Sequence, residues 1–260
     1  MSLNDFLIEQ NRKNSDEIFH VSYGNKRYWI KKARETKSLL FHRFFYFLTK
    51  FEVLLPVENK SAKDAIKYET SKIERFQTLG INTPNIIYKE DNFFVLEDCG
   101  KTINSYIRKR DITEDKIYFY IDKVIEALAK IHNLNQFHGG AQARNFTFKD
   151  DKIYALDLED SFDKNVDLKL LQFRDFLLLL LSFTKTRANF ELDFDYIIDK
   201  YIKLTNNMEF KQRLINLANR FSFLIFLSDI KIMNKLIGRD GQTFFKLLKK
   251  LQNLKLEKNL

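Results

Sequence analysis

Residues 137–160 read FHGGAQARNFTFKDDKIYALDLED. Two short β-rich runs, FTF and IYALD, flank the polar turn KDDK, which is the pattern of a compact hairpin over Asn145–Asp157. A hairpin returns the chain to its starting point. Asn145, just before the first run, and Asp157, just after the second, therefore meet at the open end. One amide oxygen and one carboxylate, joined by water and phosphate oxygens, make an open site for magnesium. Such a pair is equally at home in capping or turn chemistry. His138 stands seven residues before Asn145, and Asp157 twelve after it.

The neighbouring segments set this hairpin in an α+β chain. Upstream, residues 17–33 read as another hairpin turning at Gly24-Asn25. Asp64 to Leu79 has helical apolar spacing and ends at Gly80. Asn85–Tyr88 and Phe93–Leu96 read as short strands, followed by a break at Cys99-Gly100. From Thr113 to His132 the pattern is helical, and it is helical again after Leu168. The expected organisation is a small β-rich lobe over residues 1–98 and a larger helical lobe over 99–260, which is α+β and not doubly wound.

Composition narrows the function classes. The 260 residues carry 45% hydrophobic and 30% charged side chains, which are globular proportions. One cysteine excludes a disulfide framework and a cysteine-based zinc site. The longest apolar run, Phe176 to Leu181, is far short of a membrane span, and the first residues lack the apolar core of a secretory signal. A cytoplasmic protein is expected. The net charge of +9 points to an anionic partner. It is concentrated in Lys26, Arg27, Lys31, Lys32, Arg34, Lys37, Arg43 and Lys50 and in the lysine-rich tail, while Asp150 to Asp163 is acidic. No aromatic–basic RNA-recognition motif accompanies the basic edge, so nucleic acid is not an expected partner.

The block around His138, Asn145 and Asp157 resembles the catalytic loop and metal-binding strand of protein-kinase-like phosphotransferases. Asp157-Leu158-Glu159 stands where such enzymes carry D-F-G. Further matches occur in order. Tyr28-Trp29-Ile30-Lys31 resembles the strand bearing the phosphate-binding lysine, and Lys32 would face the other side of that strand. Glu69 fits the lysine's helix partner. The run from Glu69 to Leu79-Gly80-Ile81-Asn82-Thr83-Pro84 is similar to a segment of bacterial lipopolysaccharide-core kinases. Glu97-Asp98-Cys99-Gly100 resembles the adenine-binding hinge, and Phe173-Arg174-Asp175-Phe176 the helix whose aspartate anchors the catalytic loop. Taken singly, Lys31, Glu69 and Asp175 also fit ordinary surface or helix positions.

The resemblance implies a bilobal kinase-like fold binding ATP and Mg2+. In it Lys31 and Glu69, with Glu97 and Cys99, would hold the nucleotide, and Asn145 and Asp157 the metal. The acceptor would be a sugar or lipid-linked sugar hydroxyl at the cytoplasmic face of the inner membrane. Two departures stand out. The position of the catalytic aspartate is Gly140, within His138-Gly139-Gly140, and no glycine-rich phosphate loop precedes Lys31. His138 would then be structural, and Gln142, Arg144, Glu159 or Asp160 is left to replace the missing group. Arg144 cannot act as a base but can clamp a phosphate. A kinase-shaped binding module without turnover, a pseudokinase, is the alternative. Residues 36–55, rich in Phe with basic ends, fit either core packing or a peripheral contact with anionic lipid.

Overall fold

The computed structural model describes residues 1–36, 52–222 and 239–254. Most of the 36–55 stretch therefore lies outside the described residues; Glu52–Leu54 forms a single 3-10 turn. The chain begins with helix α1 (Leu3–Lys13), which the sequence reading had not marked. Its N-terminus is a capping box: the Ser2 hydroxyl accepts from Asp5 N, and Asp5 accepts from Ser2 N.

Strands β1 (Ile18–Tyr23), β2 (Lys26–Lys32), β3 (Ile86–Lys89) and β4 (Phe93–Glu97) form an antiparallel sheet in the order β1-β2-β4-β3. Alternation along β2 divides its residues between two faces. Tyr28 and Ile30 pack with Leu7 of α1, Phe19 and Val95, while Trp29 and Lys31 face the opposite side. Lys32 follows Ile30: its ammonium donates to Asn14 O and lies over the Phe19 ring. The choice between the two lysines is thus made by strand parity.

Helix α2 (Ala62–Thr78) starts at Ser61, whose hydroxyl accepts from Asp64 N. It buries Ile66, Ile73 and Phe76 on one face, and Glu69 and Lys72 fall on that same face. After β5 (Lys101–Thr102), the short helix α3 (Ile103–Ile107), also unmarked in the sequence, leads to α4 (Glu114–Asn133). Strands β6 (Phe146–Lys149) and β7 (Lys152–Ala155) complete a second antiparallel sheet, β5-β6-β7. Their turn residues Asp150 and Asp151 both have positive φ, as a two-residue type I′ hairpin turn requires.

The remaining described helices are α5 (Leu168–Phe183), α6 (Phe194–Thr205), α7 (Met208–Arg220) and α8 (Arg239–Gln252). Helix α5 is apolar nearly all round and buried accordingly. Leu247, Leu248 and Leu251 of α8, and Leu254 just beyond it, are buried against the protein. These leucines are part of the helical core, so they are not a face left for lipid. The architecture is α+β: a small antiparallel sheet with its helix beside a larger helical part that carries a second, small sheet.

Candidate functional site

A cavity of about 290 Å³ opens between the first sheet and the second hairpin, with Trp29, Lys31 and Leu96 on one wall and Asn145, Leu156 and Asp157 on the other. Lys31 Nζ donates to Glu69 Oε1 at 2.9 Å and to Asp157 Oδ1 at 2.8 Å, and Glu159 Oε2 lies 3.2 Å away. Burial works against the ammonium, but the three carboxylates override it and hold its pKa above the ordinary value. Burial also pushes the Glu69 carboxyl up, and Lys31 pulls it back. In Asp157 the opposite balance wins. Burial would raise its pKa, yet Lys31, then His138 and Arg34, bring it below the usual carboxylate range.

The hairpin brings Asn145 and Asp157 to the same cavity, because Leu156 N donates to Asn145 O at 2.8 Å and closes its open end. Asp157 sits at φ +58°, a left-handed conformation that aspartate tolerates better than most residues and that recurs at functional sites. Asn145 Nδ2 donates to Gly140 O at 2.8 Å, so its amide oxygen is the atom that remains to act as a ligand. Among the described residues no group of three or more His, Cys, Asp or Glu forms a closed metal centre. One amide oxygen and one ionised carboxylate suit magnesium, which keeps most of its waters.

The loop that presents Asn145 is fixed from below. Asp175, fully buried on α5, accepts from His138 N at 2.6 Å and from Gly139 N at 2.9 Å. Burial would raise its pKa, but His132, with Nε2 3.6 Å away, and the charges around it take it below the usual range. His138 is buried, and burial depresses its pKa to about 4. The neutral ring accepts from Gly140 N at 3.2 Å through Nδ1 and so shapes the loop from within. Arg144 is exposed and borders the cavity, whereas Gln142 is not part of its lining. At the connector, Glu97 N and Asp98 N already donate to Asn85 O and Arg27 O, and the Glu97 carboxylate accepts from Asn85 N. Cys99 is buried beside the cavity, and burial above all, with Glu97, pushes its thiol up to about 12.

No known family's model matches the chain. An uncharacterized protein of Haemophilus influenzae (strain ATCC 51907 / DSM 11121 / KW20 / Rd) is 28% identical over 148 residues, which are 56% of this chain and 55% of that protein. The chain thus matches about half the length of this curated relative. Among solved structures, the ADP-bound aminoglycoside phosphotransferase APH(2'')-Ib overlaps 97% of each chain at 12% identity and a TM-score of 0.38. The streptomycin-ATP-APH(2")-IIa ternary complex covers 94% of this chain and 98% of its own at 11% identity and a TM-score of 0.40.

A second cavity, of about 590 Å³, adjoins the first, and Arg34 borders both. Its lining includes Glu17, Thr36, Glu159 and Asp160. Glu159 is engaged by Lys31 and by the Arg34 guanidinium. Asp160 is oriented differently. A β-carbon built on Gly140 would lie 3.9 Å from Asp160 Oδ2 and 3.4 Å from Asn145 Nδ2, and the nearest cation to the Asp160 carboxylate, Arg174, stands 3.9 Å away. Burial, with Glu159 and Asp157 nearby, raises the Asp160 pKa against the pull of Arg174 and Lys72.

Arg34 and Lys72 were not singled out in the sequence. Lys72 is buried three residues after Glu69, donates to His138 O at 2.9 Å and lies over the Phe137 ring. Burial brings its pKa down to about 7. A lysine on the apolar face of α2 was the signal available for it.

Proposed function

We propose that the protein is an ATP- and Mg-dependent phosphotransferase acting on the hydroxyl of a sugar or lipid-linked sugar. The observation that carries this reading is the buried Lys31 ammonium held jointly by Glu69 and Asp157 at one wall of a partly apolar cleft. A fixed, permanently charged lysine beside an ionised aspartate is suited to polyphosphate and is costly to bury for structural reasons alone. In this reading Lys31 neutralises the nucleotide phosphates and Glu69 keeps it aimed. Asn145 and Asp157 hold magnesium, which supplies charge neutralisation on the phosphate oxygens. Cys99, which follows Glu97 and Asp98 whose N–H groups are already taken, offers the backbone contact to adenine. Arg144 stands at the rim, where a guanidinium can clamp phosphate.

The acceptor class rests on the similarity of Glu69 to Pro84 to lipopolysaccharide-core kinases, and a peripheral contact with the inner membrane rests on the basic and phenylalanine-rich sequence of residues 36–55. No helix among the described residues is long and apolar enough to cross a membrane. The pseudokinase reading is favoured by one feature, the absence of a carboxylate at Gly140.

Thermal unfolding with Mg-ATP tests the nucleotide claim. At a ligand concentration 100 times Kd the stabilisation is about 2.7 kcal/mol, or a rise in Tm of roughly 5–10 °C. Asp157→Ala should remove most of that rise. An unshifted Tm in the wild type sinks the reading. Transfer of radiolabelled γ-phosphate to envelope glycolipids separates enzyme from pseudokinase.

A further inference from the structure

We infer that Asp160 takes the place of the catalytic carboxylate that Gly140 lacks, so that the base of this site comes from the segment after the metal strand and not from the catalytic loop. The inference rests on the phosphotransferase reading and assigns a residue within it. Four side chains were available to replace the missing group, and the geometry separates them. Glu159 is neutralised by Lys31 and Arg34. Arg144 carries no basic lone pair at neutral pH. Gln142 does not ionise and lies outside the lining of the nucleotide cleft. Asp160 combines a carboxylate close to where a Gly140 side chain would project, a place in the lining of the second cavity, and, among the described residues, a closest cation, Arg174, no nearer than 3.9 Å, where Glu159 meets Arg34 at 2.5 Å.

The backbone supports the exchange. At Gly139 an added β-carbon would lie 2.9 Å from the Asp160 β-carbon, so the His138-Gly139-Gly140 turn and Asp160 are packed face to face. Two main-chain oxygens hold the segment in place: Tyr68 Oη donates to Asp160 O at 3.2 Å, and Lys60 Nζ to Glu159 O at 2.8 Å. Asp160 is thus positioned by its main chain, which leaves the carboxylate for chemistry. Arg34, shared by the two cavities, marks the passage between nucleotide and acceptor.

In the reaction, an acceptor hydroxyl in the second cavity approaches the γ-phosphorus of ATP. The new oxygen–phosphorus bond forms as the bond from that phosphorus to the β-γ bridging oxygen breaks, and ADP leaves with the electron pair. The hydroxyl proton passes to Asp160 and from there to solvent. Water can stand in as the acceptor, so phosphate release from Mg-ATP is the probe.

The test compares wild type, Asp160→Asn and the double variant Asp160→Asn/Gly140→Asp. Calorimetric Kd for Mg-ATP, Tm and phosphate release are measured for each. Loss of a positioned base predicts that Asp160→Asn keeps its Tm and Mg-ATP affinity while turnover falls roughly 10²–10⁴-fold. The double variant, with a carboxylate returned to the loop, should turn over at least about tenfold faster than Asp160→Asn. Unchanged turnover in Asp160→Asn overturns the inference, as does a loss that the second substitution leaves unrepaired. Wild-type binding of Mg-ATP without turnover also overturns it. Absence of Mg-ATP binding in the wild type brings down the phosphotransferase reading itself, and the assignment of Asp160 with it.

Discussion

The two sides of the cleft are built on different electrostatic terms. On the Lys31 side, the ammonium is enclosed by Glu69, Asp157 and Glu159, so that every charge has a close opposite. On the other side, Asp160 has Arg174 at 3.9 Å and faces a glycine. Paired charges fix a geometry, since each partner sets the direction of the other. Asp160 is held less tightly by its cation, and burial, with Glu159 and Asp157 nearby, raises its pKa against the pull of Arg174. The two charge arrangements border different cavities, which share Arg34.

Four substitutions probe that contrast, in order of decreasing effect. Asp175→Asn removes the carboxylate that accepts the His138 and Gly139 N–H groups in a fully buried setting. It should cost about 3–5 kcal/mol of stability, read by denaturant unfolding. If the sides are separable, Mg-ATP affinity of the folded fraction should survive far better than turnover. Lys31→Met strikes the other side. Loss of a charge-assisted contact worth about 1.5–3 kcal/mol weakens Mg-ATP binding by roughly 10–100-fold in calorimetry. A Kd equal to wild type would mean that the paired charges serve the fold only.

Gly100→Ala tests the connector. Gly100 has φ +88°, and an added β-carbon would run into Phe148 O of the hairpin. The expected cost is about 1–3 kcal/mol, seen as a lower Tm. The last substitution concerns Lys72, which ties α2 to the loop before Asn145 through His138 O. Its folded pKa of about 7 lies below the ordinary 10.5. Between those values the unfolded chain binds more protons, so stability rises with pH across this window, by at most about 1.4 kcal/mol per pH unit. Lys72→Met should flatten that rise when Tm is followed from pH 7 to pH 9.5.

Much of the site geometry was legible because short-range rules govern it. Strand parity separated Lys31 from Lys32, and the hairpin pattern over Asn145–Asp157 showed how those two residues return to each other, while Glu69 was placed by resemblance and the structure puts it on the buried face of α2. Helices α1 and α3 were missed for a related reason: one has a weakly apolar pattern and the other spans only Ile103–Ile107, too short to show a period. Lys72 and Arg34 were missed because their meaning lies in partners far along the chain, His138 O and Glu159.

By itself the sequence determined the order of elements, the faces of its strands and helices, and the absence of a carboxylate at Gly140, since each depends on local alternation, period or identity. Only the tertiary structure set Glu159 and Asp160 apart. Glu159 and Asp160 are adjacent and chemically alike in the sequence. Folding turns one toward Lys31 and Arg34 and the other toward Gly140, because contacts across the cleft depend on how α2, the catalytic loop and the segment after β7 pack in three dimensions.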